Sequence, residues 1–270
     1  PAAPAAADIA VDLTPGDWDA PPVARGGDQP FVVSPDGREL AFVANPDRDL
    51  ALSTNNDIFI VPIDPKGKAH PTPRDLTTDN RATDVSPRYS PDGRYLAYLA
   101  QRRPGFEADR FVLWLYDRKT GARRPLTDSL DAHVGSPLWS RDSKRIYFTT
   151  SLKGRVRLYS VTLDGAQRSA APSINSAQRS GAPSIDSALA EHWVGEVDGL
   201  DLAGSEGAEA LYFKSASLSR SADLLRLPLK PDGLPASAPR ALTDLNQGVW
   251  ASTALGRVSD AYLRFSTFLR

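Results

Sequence analysis

Apolar and polar positions along this chain fall into short segments rather than long amphipathic stretches. Leu40 and Phe42, and later Leu96 and Tyr98, sit two apart behind a polar turn. Further apolar runs follow as DIFIVPID (57–64), FVLWLYDRKTG (111–121), VRLYSVTLDG (156–165) and LLRLPLKPDG (224–233). Period-two alternation and brief apolar runs bounded by Gly, Pro and Asp predict β-strands. Each unit opens on one turn type, read in SPDGRELAFVAN (34–45), SPDGRYLAYLAQ (90–101) and SRDSKRIYFTTS (140–151). Proline presets the second turn position, aspartate caps local N–H groups and glycine accepts a positive φ. A third marker recurs as RDLTTD (74–79), RPLTDS (124–129) and RALTDL (240–245).

The turns at Ser34, Ser90 and Ser140 recur at intervals of 56 and 50 residues, with no helical segment between. Strand–turn–strand units at such a period predict the blades of an all-β propeller, because a small sheet buries its faces only by stacking on neighbours. Four blades are recognisable, at residues 31–79, 84–128, 133–165 and 192–245, within one domain spanning 1–270. The fourth lacks the Ser-Pro-Asp-Gly turn but keeps the strand pair. The two chain ends, DIAVDLTPG and YLRFSTFLR, are expected to complete a fifth blade and protect the sheet edges. A tandem duplication, AQRSAAPSINS (166–176) and AQRSGAPSIDS (177–187), reads as a flexible polar insertion. Trp114, Trp139, Tyr98, Tyr147, Phe148, Tyr212 and Phe213 are spread over the strands, which predicts core packing rather than a stacking platform.

Charge narrows the choice of partners. The 32 basic and 33 acidic residues nearly cancel, which removes the long-range attraction that nucleic acid or an anionic membrane needs. No apolar run approaches the roughly 20 residues of a membrane span. Cysteine is absent, so disulfides and thiolate metal sites are excluded. The opening PAAPAAADIA reads as the start of a processed, exported protein, and a periplasmic or secreted location is expected.

These residues resemble the propeller of the prolyl oligopeptidase family, near its dipeptidyl- and acylaminoacyl-peptidase branch. The resemblance is carried by SPDGRELAFVAN, STNNDIFIVPID, YSPDGRYLAYLAQRRPGFEADRFVLWLYDRKTG and LWSRDSKRIYFTTSLKGRVRLYSVTLDG. It is strong over about residues 25–165 and moderate over 192–257. In that family a propeller covers an α/β-hydrolase domain bearing a Ser-Asp-His triad. The resemblance therefore implies a propeller that gates peptides for a peptidase domain.

Catalytic groups are missing from the pattern. The nucleophile elbow Gly-x-Ser-x-Gly does not occur, and the nearest approach, LAGSEG around Ser205, precedes a strand instead of a helix. His70, His133 and His192 are the three histidines, and none stands in a triad-like context. No metal-ligand spacing and no phosphate loop are present, so no metal or cofactor is expected. The candidate substrate-binding segment is RRPGFEADRF (102–111). By resemblance, Glu107 is the first candidate to hold a peptide's free amine, beside Asp109, with Arg110 binding a carboxylate or carbonyl or orienting Glu107. Asn55 and Asn56 in STNND (53–57) form a second candidate. The expected partners are peptides or a peptidase domain, with self-association as a further option. A free-standing binding module of the TolB type is the competing reading.

Overall fold

The computed structural model describes residues 12–17, 20–22, 30–63, 72–152, 154–163, 196–205, 207–217, 220–245, 248–249 and 252–253. These residues form four antiparallel sheets in chain order, each a blade. Blade A comprises β1 (Phe31–Val33), β2 (Glu39–Ala44), β3 (Asp57–Pro62) and β4 (Arg74–Asp75). Blade B comprises β5 (Asp84–Tyr89), β6 (Tyr95–Ala100), β7 (Val112–Asp117) and β8 (Arg123–Pro125). Blade C has three strands among the described residues, β9 (His133–Trp139), β10 (Arg145–Leu152) and β11 (Arg155–Thr162). Blade D comprises β12 (Glu196–Ala203), β13 (Ala210–Ser217), β14 (Arg220–Pro228) and β15 (Arg240–Ala241). The duplicated segment 166–187 and the expected fifth-blade strands at the two chain ends lie outside the described residues.

The first strand of each blade packs against the preceding one: β5 lies against β1, β2 and β3, and β9 against β5, β6 and β7. One core cluster runs through blades A, B and C, with Ile58, Leu96, Tyr98, Leu113, Ile146 and Phe148 among its members. A second joins C to D through Tyr147, Leu158, Leu211, Phe213 and Leu227. Of the seven aromatics expected in the core, five are buried, while Trp114 and Tyr212 are half-buried. Trp114 stacks on Tyr98 at 6.4 Å between ring centres.

The recurrent motifs have concrete jobs. In the opening turn, Ser34 Oγ donates to Asp36 Oδ1 at 2.6 Å and accepts the Glu39 N–H at 3.0 Å, while Asp36 Oδ1 accepts Arg38 N–H. Ser90 with Asp92, and Ser140 with Asp142, repeat the arrangement. The Leu-Thr marker closes the outer edge. Leu76, Leu126 and Leu242 donate their N–H to the carbonyls of Ile58, Leu113 and Leu224. The next residue then turns its hydroxyl inward, so that Thr77, Thr127 and Thr243 Oγ1 accept the N–H of Ile58, Leu113 and Leu224 at 2.9–3.0 Å. A side-chain oxygen thus satisfies the strand donor that a two- or three-residue outer strand cannot reach.

The inner strands β5 and β9 are irregular, which period-two patterning does not predict. Ser86 and Ser136, each followed by proline, have φ of 57° and 48°. The ladder skips at both places, which is how a mid-strand proline is accommodated.

Candidate functional site

Antiparallel order puts the β2–β3 loop, the β6–β7 loop and the blade-to-blade connections at one end of the stack. Both candidate segments therefore emerge together. Gly105 N–H donates to Thr54 Oγ1 at 2.9 Å, and Thr83 Oγ1 donates to the Thr54 carbonyl at 2.7 Å. Residues some fifty positions apart in sequence meet at Thr54, a contact that no local motif announces.

Within the 101–111 loop the charged residues divide their roles. Asp109 is the organiser: one carboxyl oxygen accepts the N–H groups of Arg102 and Arg103 at 2.9 and 3.0 Å, the other the Arg103 guanidinium. Burial pushes its pKa upward, but these donors outweigh that and hold it below the ordinary carboxylate range. Gln101 Nε2 donates to the carbonyls of Glu107 and Asp109 at 3.1 and 2.7 Å. Arg110 donates to the Leu130 and Asp128 carbonyls and to the Asp128 carboxylate. Arg102 reaches that carboxylate too, at 2.7 Å. Glu107 itself is exposed, as is Phe106, which lies under the Arg103 guanidinium at 4.1 Å from the ring centre.

The asparagines are placed differently. Asn55 and Asn56 are 4% and 3% exposed, so neither presents its side chain on the surface. Asn55 Nδ2 donates to Asp47 Oδ1 and its N–H to Ser53 Oγ, while the Asn56 carbonyl accepts Asp84 N–H at 2.7 Å. Their work is to shape the loop beneath the exposed rim.

His133 opens β9, packed edge-on against Phe111 at 5.2 Å, and burial holds its pKa below the usual imidazole value. His70 and His192 lie outside the described residues. Ser205 sits in the turn joining β12 to β13, its carbonyl accepting Ala208 N–H. Among the described residues no group of three or more His, Asp or Glu is arranged to hold a metal ion.

No protein-family model matches the chain. It is 32% identical over 155 residues to dipeptidyl-peptidase 5 of Porphyromonas gingivalis, a match covering 56% of this chain and 22% of that protein. The matched stretch is thus about a fifth of the relative's length. In fold, the chain is similar to the acylaminoacyl peptidase of Pyrococcus horikoshii, with a TM-score of 0.52, 16% identity and coverage of 83% of this chain and 28% of that one. It is also similar to the β-propeller domain of the Trilobed protease from Pyrococcus furiosus, with a TM-score of 0.50, 16% identity and coverage of 83% and 54%. The stacked antiparallel blades, together with these likenesses, make the fold a β-propeller, in a chain whose sequence is similar over about half its length to a dipeptidyl-peptidase.

Proposed function

We propose that this chain is a non-catalytic propeller part of a serine exopeptidase-like protein, admitting and positioning peptides for a hydrolase domain supplied outside these residues. What carries the reading is the junction of the two candidate loops through Thr54 and Gly105, in a chain 32% identical over 155 residues to a dipeptidyl-peptidase. Glu107 supplies the exposed carboxylate for a peptide's free amine, a charge-assisted contact. Asp109 and Arg110 fix the loop that carries it, and Asn55 and Asn56 support it from below.

Binding of a short peptide with a free amino terminus, measured by calorimetry against its N-acetylated twin, tests the assignment. The free amine is expected to bind more tightly, and Glu107→Gln to erase about a tenfold preference, as loss of an ion-assisted hydrogen bond would. Equal binding of both peptides, or an undiminished preference in the variant, excludes Glu107. The chain alone should not cleave dipeptidyl or acyl-amino-acid chromogenic substrates. Turnover that co-purifies with the chain at constant specific activity would contradict the non-catalytic assignment.

A further inference from the structure

Beneath the loop end of the A–B junction lies a closed polar cluster. Asp57, Asp84 and Thr77 are 2%, 1% and 0% exposed. Thr77 Oγ1 accepts Ile58 N–H and donates to Asp57 Oδ1 at 2.9 Å. Asn80 Nδ2 donates to both Asp84 oxygens, at 3.1 and 3.0 Å. Among the described residues neither carboxylate has a salt-bridge partner, so each, if ionised, is a buried charge with no cation against it. Two ionised groups there also repel each other away from water. A proton held by the pair relieves both problems.

The cluster is tied to both loops. Asp84 N–H and Thr83 Oγ1 bind the carbonyls of Asn56 and Thr54. Asn80 Nδ2 also binds the Gln101 carbonyl at 3.0 Å, and Gln101 in turn holds the carbonyls of Glu107 and Asp109. We propose that Asp57 and Asp84 form a proton-dependent lock, which holds the 53–57 and 101–110 loops together while the pair is protonated and loosens them when it ionises. This adds regulation to the site read above, and rests on those loops being its ligand-facing rim.

The surrounding charges favour the protonated state. Asp75 from β4, Asp47 from the β2–β3 loop and Asp79 from the β4–β5 connection add negative charge around the cluster. The facing cations are Arg81, bound to Asp47 at 3.6 Å, and Arg123 of β8, bound to Asp79 at 2.7 Å. Tyr98 of β6 lies near Asp84, and its own ionisation is pushed well above the ordinary range by burial. Burial, with the Asp75 charge behind it, pushes Asp57 up to about 7, and burial pushes Asp84 well above its usual range. Both groups bind protons more tightly folded than unfolded. Their favourable contribution is therefore complete at acid pH and declines as pH rises from the ordinary carboxylate range through about 7.

Hydrogen exchange of the Arg102, Arg103 and Gly105 amides, corrected for intrinsic rates and followed on the whole chain from about pH 5.5 to 8, reads the lock directly. Protection should fall about tenfold across that range and stay level in Asp57→Asn, with Asp84→Asn as the second variant. Level protection in the unsubstituted chain, or an equal fall in a folded variant, overturns the proposal. Carboxyl carbon NMR of the unsubstituted chain needs no variant: if both groups titrate in the ordinary carboxylate range, there is no lock. No peptide is present in these arms, whereas peptide affinity at one acid pH tests Glu107 alone, so the two readings fail separately.

Discussion

Ser143 occupies the turn position that Gly37 and Gly93 hold in blades A and B, at φ 60° where they have 69° and 70°. A side chain in that left-handed conformation costs about 1–2 kcal/mol. The compensation is specific: Ser143 Oγ accepts Asp92 N–H at 3.0 Å, bonding the turn of blade C to the turn of blade B. Such a bond contributes about 1 kcal/mol. Ser143→Gly should therefore leave the unfolding free energy within about 1 kcal/mol of the original, since relief and loss oppose each other. Gly37→Ser has nothing within 4 Å of an added Cβ and should lose about 1 kcal/mol. Urea melts compare them, and a gain in Ser143→Gly as large as the loss in Gly37→Ser would mean that the Asp92 bond contributes nothing. In the RRPGFEADRF segment, too, local pattern and folded contacts decide different things. Its composition marked a polar loop, yet Asp109 and Arg110 parted roles because their partners, the Arg102 N–H and the 128–130 carbonyls, are supplied by folding.

At the level of the strand, the Leu-Thr marker substitutes a hydroxyl for a backbone acceptor three times. Thr77 and Thr127 are fully buried, while Thr243 is half-buried. Replacing threonine by valine keeps the shape and removes the acceptor, stranding the N–H of Ile58, Leu113 or Leu224. A buried donor left unmade costs about 1–3 kcal/mol, and less where water can reach it. Thr127→Val is expected to destabilise by about 2 kcal/mol and Thr243→Val by under about 1 kcal/mol, read from thermal and urea unfolding. A larger loss at Thr243 would show that the marker works by something other than satisfying that donor. The marker was visible as a repeat, but its purpose required knowing that β4, β8 and β15 are only two or three residues long.

For the molecule as a whole, stacking decides what an identical motif residue experiences. Leu76 and Leu126 are 7% and 1% exposed because blades B and C lie over them, whereas Leu242 is 52% exposed. Counted from the threonine, Leu224 corresponds to Ile58, and the facing partner is Lys214 where blade A has Val43. The outward side of blade D is thus more polar than the corresponding side of blade A, and Lys214 pairs with Asp198 on it. Leu126→Lys should cost more than about 3 kcal/mol by burying an unpaired ammonium, while Leu242→Lys should change stability by under about 0.5 kcal/mol. Comparable losses at both positions would contradict this account of the stack.

Strand positions, turn chemistry and the count of four recognisable units were all readable from the chain, because each depends on neighbours a few residues away. Period-two patterning selects extended backbone, and Ser-Pro-Asp-Gly closes a tight turn, in whatever context they stand. The meeting of Thr54 with Gly105, the burial of Asn55 and Asn56, and the enclosure of Asp57 with Asp84 were not readable. Each arises when two sheets pack face to face, bringing together residues from separate blades whose own sequence surroundings carry no trace of the encounter.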